Sequence, residues 1–182
     1  MGSPITANDA SEAAAAASEG SDAHAFGFTA IDGAPLPLSR YAGKALLVVN
    51  TASRCGFTGQ YRGLQALWQD YRDRGLVVLG VPSNDFGSRE PGSEAEISRL
   101  CAEDFGVDFP LTAKTRVRGP EAHPFYRWAR AEAGGLAAPK WNFHKYLIAP
   151  DGRLAAWFYS WTTPGSARLR RAVEAALEAA EA

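Results

Sequence analysis

The chain has 182 residues, the size of one domain with a single core and a short tail. Apolar residues make up 46% and charged residues 21%, the formal net charge is -1, and no Lys/Arg run occurs. Composition therefore gives no basis for a nucleic-acid surface, for membrane association or for a membrane span.

Residues Met1 to about His24 hold the run Ala13 to Ala17, the acids Asp9, Glu12, Glu19 and Asp22, and no Lys or Arg. With no large side chains to bury, residues 1–24 read as a disordered tail and 25–182 as the folded domain. The stretch has neither the basic start nor the Leu/Val-type run of a signal peptide. The cytoplasm is the expected compartment, and the periplasm the alternative if a leader has been removed.

Phe28 to Ile31 and Pro35 to Leu38 flank Asp32-Gly33, which predicts a short hairpin. The unalternated Leu46-Leu47-Val48-Val49 predicts a strand covered on both faces. Leu64, Leu67, Trp68 and Tyr71 follow with helical spacing, Gly75 ends that helix, and Leu76 to Val81 is a second buried strand. Strand, helix, strand makes a βαβ unit. Ser93 to Phe105 reads as a helix opened by a Ser93/Glu96 capping box, with Ile97, Leu100, Cys101 and Phe105 on its apolar face. His123 to Ala133 is a third helix. Lys145 to Ala149 and Leu154 to Tyr159 form a hairpin about Pro150-Asp151-Gly152. A last helix from about Ser166 presents Leu169, Val173, Ala176 and Leu177. The order predicts an α/β thioredoxin-like fold: a mixed central sheet with helices on both faces.

Two isolated cysteines do not make a disulfide scaffold, and His24, His123 and His144 show no metal-ligand spacing, so neither a metal nor a cofactor is expected. Cys55 lies between a buried strand and a helix, where strand ends form sites and a helix start favours an anion. A thiol there has reason to ionise, and Arg54 adds to it. A buried structural cysteine fits the position equally well. Without a second thiol in Cys55-Gly56-Phe57-Thr58, a Cys-x-x-Cys oxidoreductase is disfavoured.

Three ordered blocks carry a resemblance. Val49 to Thr58 (VNTASRCGFT), Val81 to Gly92 (VPSNDFGSREPG) and Lys140 to Leu147 (KWNFHKYL) are similar to motifs of the glutathione peroxidase family, over roughly Phe26 to the C-terminus. The resemblance implies that Cys55 attacks the peroxide O–O bond and becomes a sulfenic acid. It implies that Trp141 and Asn142 donate hydrogen bonds to the sulfur; on the residues alone, these are a core Trp and a turn Asn. The second block departs from the family, which carries Gln at the positions of Asp85 and Arg89. Arg89 stands where the family's fourth catalytic residue lies and can still donate hydrogen bonds, and a compensating Asp85–Arg89 pair is expected.

Periodicity makes Cys101 a core residue. The resemblance makes it a resolving thiol that closes a disulfide with Cys55, which thioredoxin then reduces. Since a disulfide needs Cα atoms within about 7 Å, the helix bearing Cys101 would have to move, with Gly92 and Gly106 as its borders. Glutathione is the alternative reductant, with arginines such as Arg62 for its carboxylates. A peroxide-sensing relay and a non-catalytic module are further alternatives. The short stretch between Trp128 and Trp141 predicts a monomer.

Overall fold

A computed structural model of the chain describes residues 21–182. Strands β1 (Gly27–Thr29) and β2 (Pro35–Pro37) form the expected antiparallel hairpin. The hairpin stands apart from the central sheet as a two-stranded unit, joined onward by a bridge between Ala30 and Thr112.

The central sheet comprises β3 (Ala45–Thr51), β4 (Leu76–Pro82), β5 (Lys145–Ile148) and β6 (Leu154–Phe158), in the order β4-β3-β5-β6. β3 runs parallel to β4 and antiparallel to β5, and β5 runs antiparallel to β6. Every residue of β3 and β4 is buried, as their continuous apolar sequences require. Beyond β4, Gly80 exchanges backbone hydrogen bonds with Pro110 and Thr112, so the segment after the second helix closes that edge.

Among the described residues, four helices complete the domain: α1 (Gln60–Tyr71), α2 (Glu94–Phe105), α3 (Pro124–Ala133) and α4 (Ala167–Glu181). Alternate sheet residues divide the core into two. Leu46, Val48, Leu79 and Tyr146 face α3 through Phe125, Tyr126 and Trp128. Leu47, Val49, Val78 and Leu147 face α1, α2 and α4 through Leu64, Leu67, Cys101, Leu169 and Val173. Helices thus cover both faces, as the sequence pattern requires.

The local signals hold in detail. Ser93 and Glu96 make both bonds of the capping box, and Ser166 caps α4 by accepting from the Leu169 amide. His123 caps α3: its Nδ1 accepts from the Phe125 amide, while Nε2 lies 2.8 Å from the Gly27 carbonyl.

The tail boundary at residue 24 requires correction. Ala23 is fully buried in the core, its amide donates to the Gly152 carbonyl, and the Trp128 indole donates to the Ser21 carbonyl. Residues 21–24 therefore belong with the domain. The rest of the tail assignment, 1–20, lies outside the described residues.

Candidate active site

Cys55 follows the carboxyl end of β3 in a run of turns that leads to α1. The helix itself begins at Gln60, five residues later, with Gly59 as its N-cap. Thr58 sets the turn: its hydroxyl accepts from the Cys55 amide at 2.8 Å and donates to the Ala52 carbonyl at 3.0 Å. This holds Cys55 half-buried, as a free thiol, with the Phe57 amide 3.4 Å from Sγ. The N–H that points at the sulfur thus comes from the turn and not from the start of α1.

The second block meets the Cys55 loop through its backbone. The Arg54 amide donates to the Arg89 carbonyl at 3.0 Å, and the exposed Arg89 guanidinium reaches the Arg54 carbonyl at 3.5 Å. Arg89 therefore stands beside the residue preceding Cys55. The path to it bends sharply, with Gly87 at φ 67° and Ser88 at φ 51°. A Cβ at Gly87 would lie 3.0 Å from the far edge of the Trp141 ring. Glycine is thus required there twice, for its conformation and for the approach of the indole.

The third block is tied to β3 by Asn50. Its fully buried side chain donates to the Trp141 carbonyl at 3.1 Å, and its own carbonyl accepts from the Phe143 amide. Phe143 adopts φ 65°, and the buried Lys145 ammonium donates to its carbonyl at 2.7 Å. Burial lowers the Lys145 pKa from 10.5 to about 7. Trp141 packs against Phe86, and Asn142 is fully buried with its amide 3.3 Å from the Phe86 carbonyl. Among the described residues, neither Trp141 nor Asn142 hydrogen-bonds to the Cys55 sulfur. The three blocks converge, but these two residues meet the second block rather than the thiol.

The expected Asp85–Arg89 pair does not form. Asp85 Oδ2 accepts from the amides of Val117 and Arg118 at 2.7 and 3.3 Å, and Oδ1 lies 3.4 Å from Arg116 Nε. The carboxylate turns away from the cysteine loop to secure the segment before α3, so the two departures from Gln are not partners.

Cys101 is 1% exposed on the inward face of α2 and unbonded to Cys55. Burial pushes its thiol up from 9.0 to about 11, against the pull of the Tyr61 hydroxyl, and the Glu90 charge adds to the rise. Arg62, suggested for glutathione, is already engaged: it donates to the Asp104 carbonyl at 2.9 Å and stacks on Phe105 at 4.8 Å, binding α1 to the end of α2. Sequence reasoning overlooked Thr58, Asn50 and Glu90 as individual residues, although each lies inside a quoted block. Among the described residues, no group of three or more His, Cys, Asp or Glu is arranged to hold a metal ion.

A free thiol held in a turn after a parallel strand, on a thioredoxin-like scaffold, is an arrangement suited to thiol redox chemistry. The scaffold is shared with a thioredoxin-family protein of Chlorobium tepidum, at TM-score 0.62 and 19% identity, covering 84% of this chain and 92% of that one. Closer likenesses specify the family. The glutathione peroxidase family model matches residues 23–130. A hydroperoxy fatty acid reductase of Synechocystis is 45% identical over 149 residues, covering 78% of this chain and 88% of its own. A glutathione peroxidase-like peroxiredoxin of Schizosaccharomyces pombe is 47% identical over 135 residues, covering 73% and 85%. The crystal structure of T. cruzi GPX1 superposes at TM-score 0.69 with 33% identity, covering 86% of this chain and 97% of that one. The chain belongs to the glutathione peroxidase family.

Proposed function

We propose that the protein reduces hydrogen peroxide and organic or lipid hydroperoxides with Cys55 as the attacking thiol, Cys101 as the resolving thiol and thioredoxin as the reductant. The reading rests chiefly on the half-buried free Cys55, whose sulfur accepts the Phe57 amide within the turn that Thr58 fixes. The names of its relatives, peroxiredoxin and hydroperoxy fatty acid reductase, support the reaction class and the range of substrates.

In the first step the Cys55 thiolate attacks one peroxide oxygen. The S–O bond forms as the O–O bond breaks, and the leaving oxygen takes a proton to depart as water or an alcohol. Arg89, beside Arg54, is positioned to steady negative charge at the rim of this site. Trp141 and Asn142, which meet Phe86 and not the sulfur, are given no bond to it in this step. In the second step the Cys101 thiol displaces hydroxide from the sulfenic acid, giving the disulfide and water. Thioredoxin then restores both thiols.

One observation favours a second reading, in which glutathione reduces Cys55 directly. Cys101 is buried within an intact helix, with its thiol at about 11. Peroxide consumption measured with thioredoxin, thioredoxin reductase and NADPH, beside an assay with glutathione, separates the two. The leading reading predicts turnover with thioredoxin that Cys101→Ser abolishes. Turnover with glutathione that Cys101→Ser leaves intact supports the second. Cys55→Ser abolishes both. A monomer by sedimentation is part of the same proposal.

A further inference from the structure

Between the elements that bear the two cysteines lies a buried polar cluster to which the steps above give no role. Glu90 is fully buried, and its carboxylate makes no hydrogen bond of good geometry among the described residues, Ser53 alone lying beside it close enough to ease its charge through hydroxyl and amide. Thr51 Oγ1, Ser53 Oγ and Tyr61 Oη likewise make no hydrogen bond of good geometry, although Tyr61 lies close enough to Thr51 and Cys101 to bear on their polar atoms. Such groups destabilise a fold and call for an explanation beyond packing. The position of Glu90 supplies one. Its chain leads through Pro91 and Gly92 into the Ser93 cap of α2, and its carboxyl lies against Ser53, two residues before Cys55. A cavity of about 350 Å³ opens at this seam, walled by Ser53 and Arg54 on one side and Ile97 and Leu100 of α2 on the other, with Glu90 on its boundary.

We propose that Glu90 accepts the proton of Cys101 when the disulfide forms. This deepens the reading of Cys101 as the resolving thiol and rests on it. In the step, the Cys101 S–H bond breaks and its proton passes to the Glu90 carboxylate, with the neighbouring Tyr61 hydroxyl able to hand it on. The thiolate attacks the Cys55 sulfur, the S–S bond forms and the S–O bond breaks. Hydroxide leaves and takes the proton back from Glu90 as water. Cys101 sulfur is oxidised, Cys55 sulfur is reduced, and Glu90 ends as it began.

The chemistry needs such a group. Burial raises the Cys101 thiol, so while it sits in α2 its ionisation is disfavoured and a proton acceptor beside it favours the attacking thiolate. Burial raises the Glu90 pKa above the ordinary carboxylate range, partly countered by Ser53, Lys114 and Arg54, which brings the acceptor nearer to neutrality. The titratable and charged groups around it are Arg54 from the cysteine loop, Lys114 from the segment before α3, Tyr61 from α1 and Cys101 from α2. Glu96, Arg99, Glu103 and Asp104 of α2 line the same cavity.

The test mixes reduced full-length protein with one equivalent of hydrogen peroxide and quenches at intervals. Sulfenic acid is measured by dimedone labelling and the disulfide by mass spectrometry. In the wild type, disulfide formation should slow on acidification through the raised carboxyl pKa, because the acceptor is lost there. Glu90→Gln should form sulfenic acid within about twofold of the wild-type rate, form the disulfide at least about tenfold more slowly, and lack the acidic limb. Glu90→Asp, which keeps a carboxyl, should retain that limb. Equal disulfide rates and pH profiles in wild type and Glu90→Gln overturn the proposal alone. So does a slowing of both steps together, or loss of the limb in Glu90→Asp, since either marks a structural role. A wild type that forms no Cys55–Cys101 bond overturns the resolving-thiol reading and this proposal with it.

Discussion

At the scale of single residues, the site depends on a few backbone positions that hold three distant segments together. Thr58 fixes the Cys55 turn, Asn50 holds the Trp141 backbone, and the Arg54–Arg89 backbone bond carries the second block to the thiol. Gly87 sets how closely Trp141 approaches. Gly87→Ala places a methyl 3.0 Å from the indole in a left-handed backbone, so the ring must shift or the turn unwind. Peroxide reactivity of Cys55, followed by stopped-flow tryptophan fluorescence, should fall by about tenfold or more, since the shift displaces the turn that leads to Arg89 and the Cys55 loop, and displacements of about an ångström cost rates on that scale. Arg89 is read by a milder change. Arg89→Gln, which restores the family residue, should alter that rate, and an unchanged rate would make Arg89 a bystander. Asp85 shows where residue patterns mislead. Its spacing from Arg89 suggested a pair, while its partners, Arg116, Val117 and Arg118, lie more than thirty positions away. Nothing local in a sequence announces a contact of that separation.

At the scale of elements, α2 decides whether a resolving cycle can run. Its start is secured by the Ser93/Glu96 box and its end by Gly106 in a left-handed cap at φ 64°. The Arg62 bond to the Asp104 carbonyl pins the same end to α1. These ties are local and partly exposed, whereas Ile97 and Cys101 alone among its residues are fully buried. Such a helix can open without dismantling the sheet. Ser93→Ala should cost about 1 kcal/mol of helix stability. If opening limits resolution, it should speed disulfide formation after peroxide while leaving sulfenic acid formation unchanged, as the quench assay would show. The capping box of α2 and the apolar faces of α1, α2 and α4 were legible in the sequence because capping and helical periodicity are local, whereas the His123 cap of α3 was not foreseen. The start of α1 was less so: Cys55 is separated from it by turns that Thr58 organises, and side-chain-capped turns leave a weaker imprint than a hydrophobic stripe.

At the scale of the whole molecule, the mixed sheet and its helical layers followed from the run of elements, since buried parallel strands and Gly-punctuated hairpins allow few arrangements, whereas the order of the strands did not. The isolation of the β1–β2 hairpin from the central sheet did not follow, because a hairpin's sequence fixes its own register and not its neighbours. Nor could the sequence reveal which polar residues are sealed inside. The buried His144 and the half-buried His123 are both held near pKa 4, chiefly by loss of solvent, below the 6.5 of a free histidine. Between those values the unfolded chain binds more protons than the folded one, so stability rises with pH from about 4 to 6.5 and is lost on acidification through that window. Protonating His123 Nδ1 also removes the cap of α3. Urea unfolding across this range should show the slope, and His123→Asn, which keeps a capping side chain, should reduce it.

The most direct test of the account is peptide mapping by mass spectrometry after reduced protein meets one equivalent of peroxide under non-reducing conditions. A resolving cycle gives a single new cross-link joining the Cys55 and Cys101 peptides, reversed by thioredoxin. Cys55 found as sulfenic or sulfinic acid, with Cys101 still a free thiol, would contradict it.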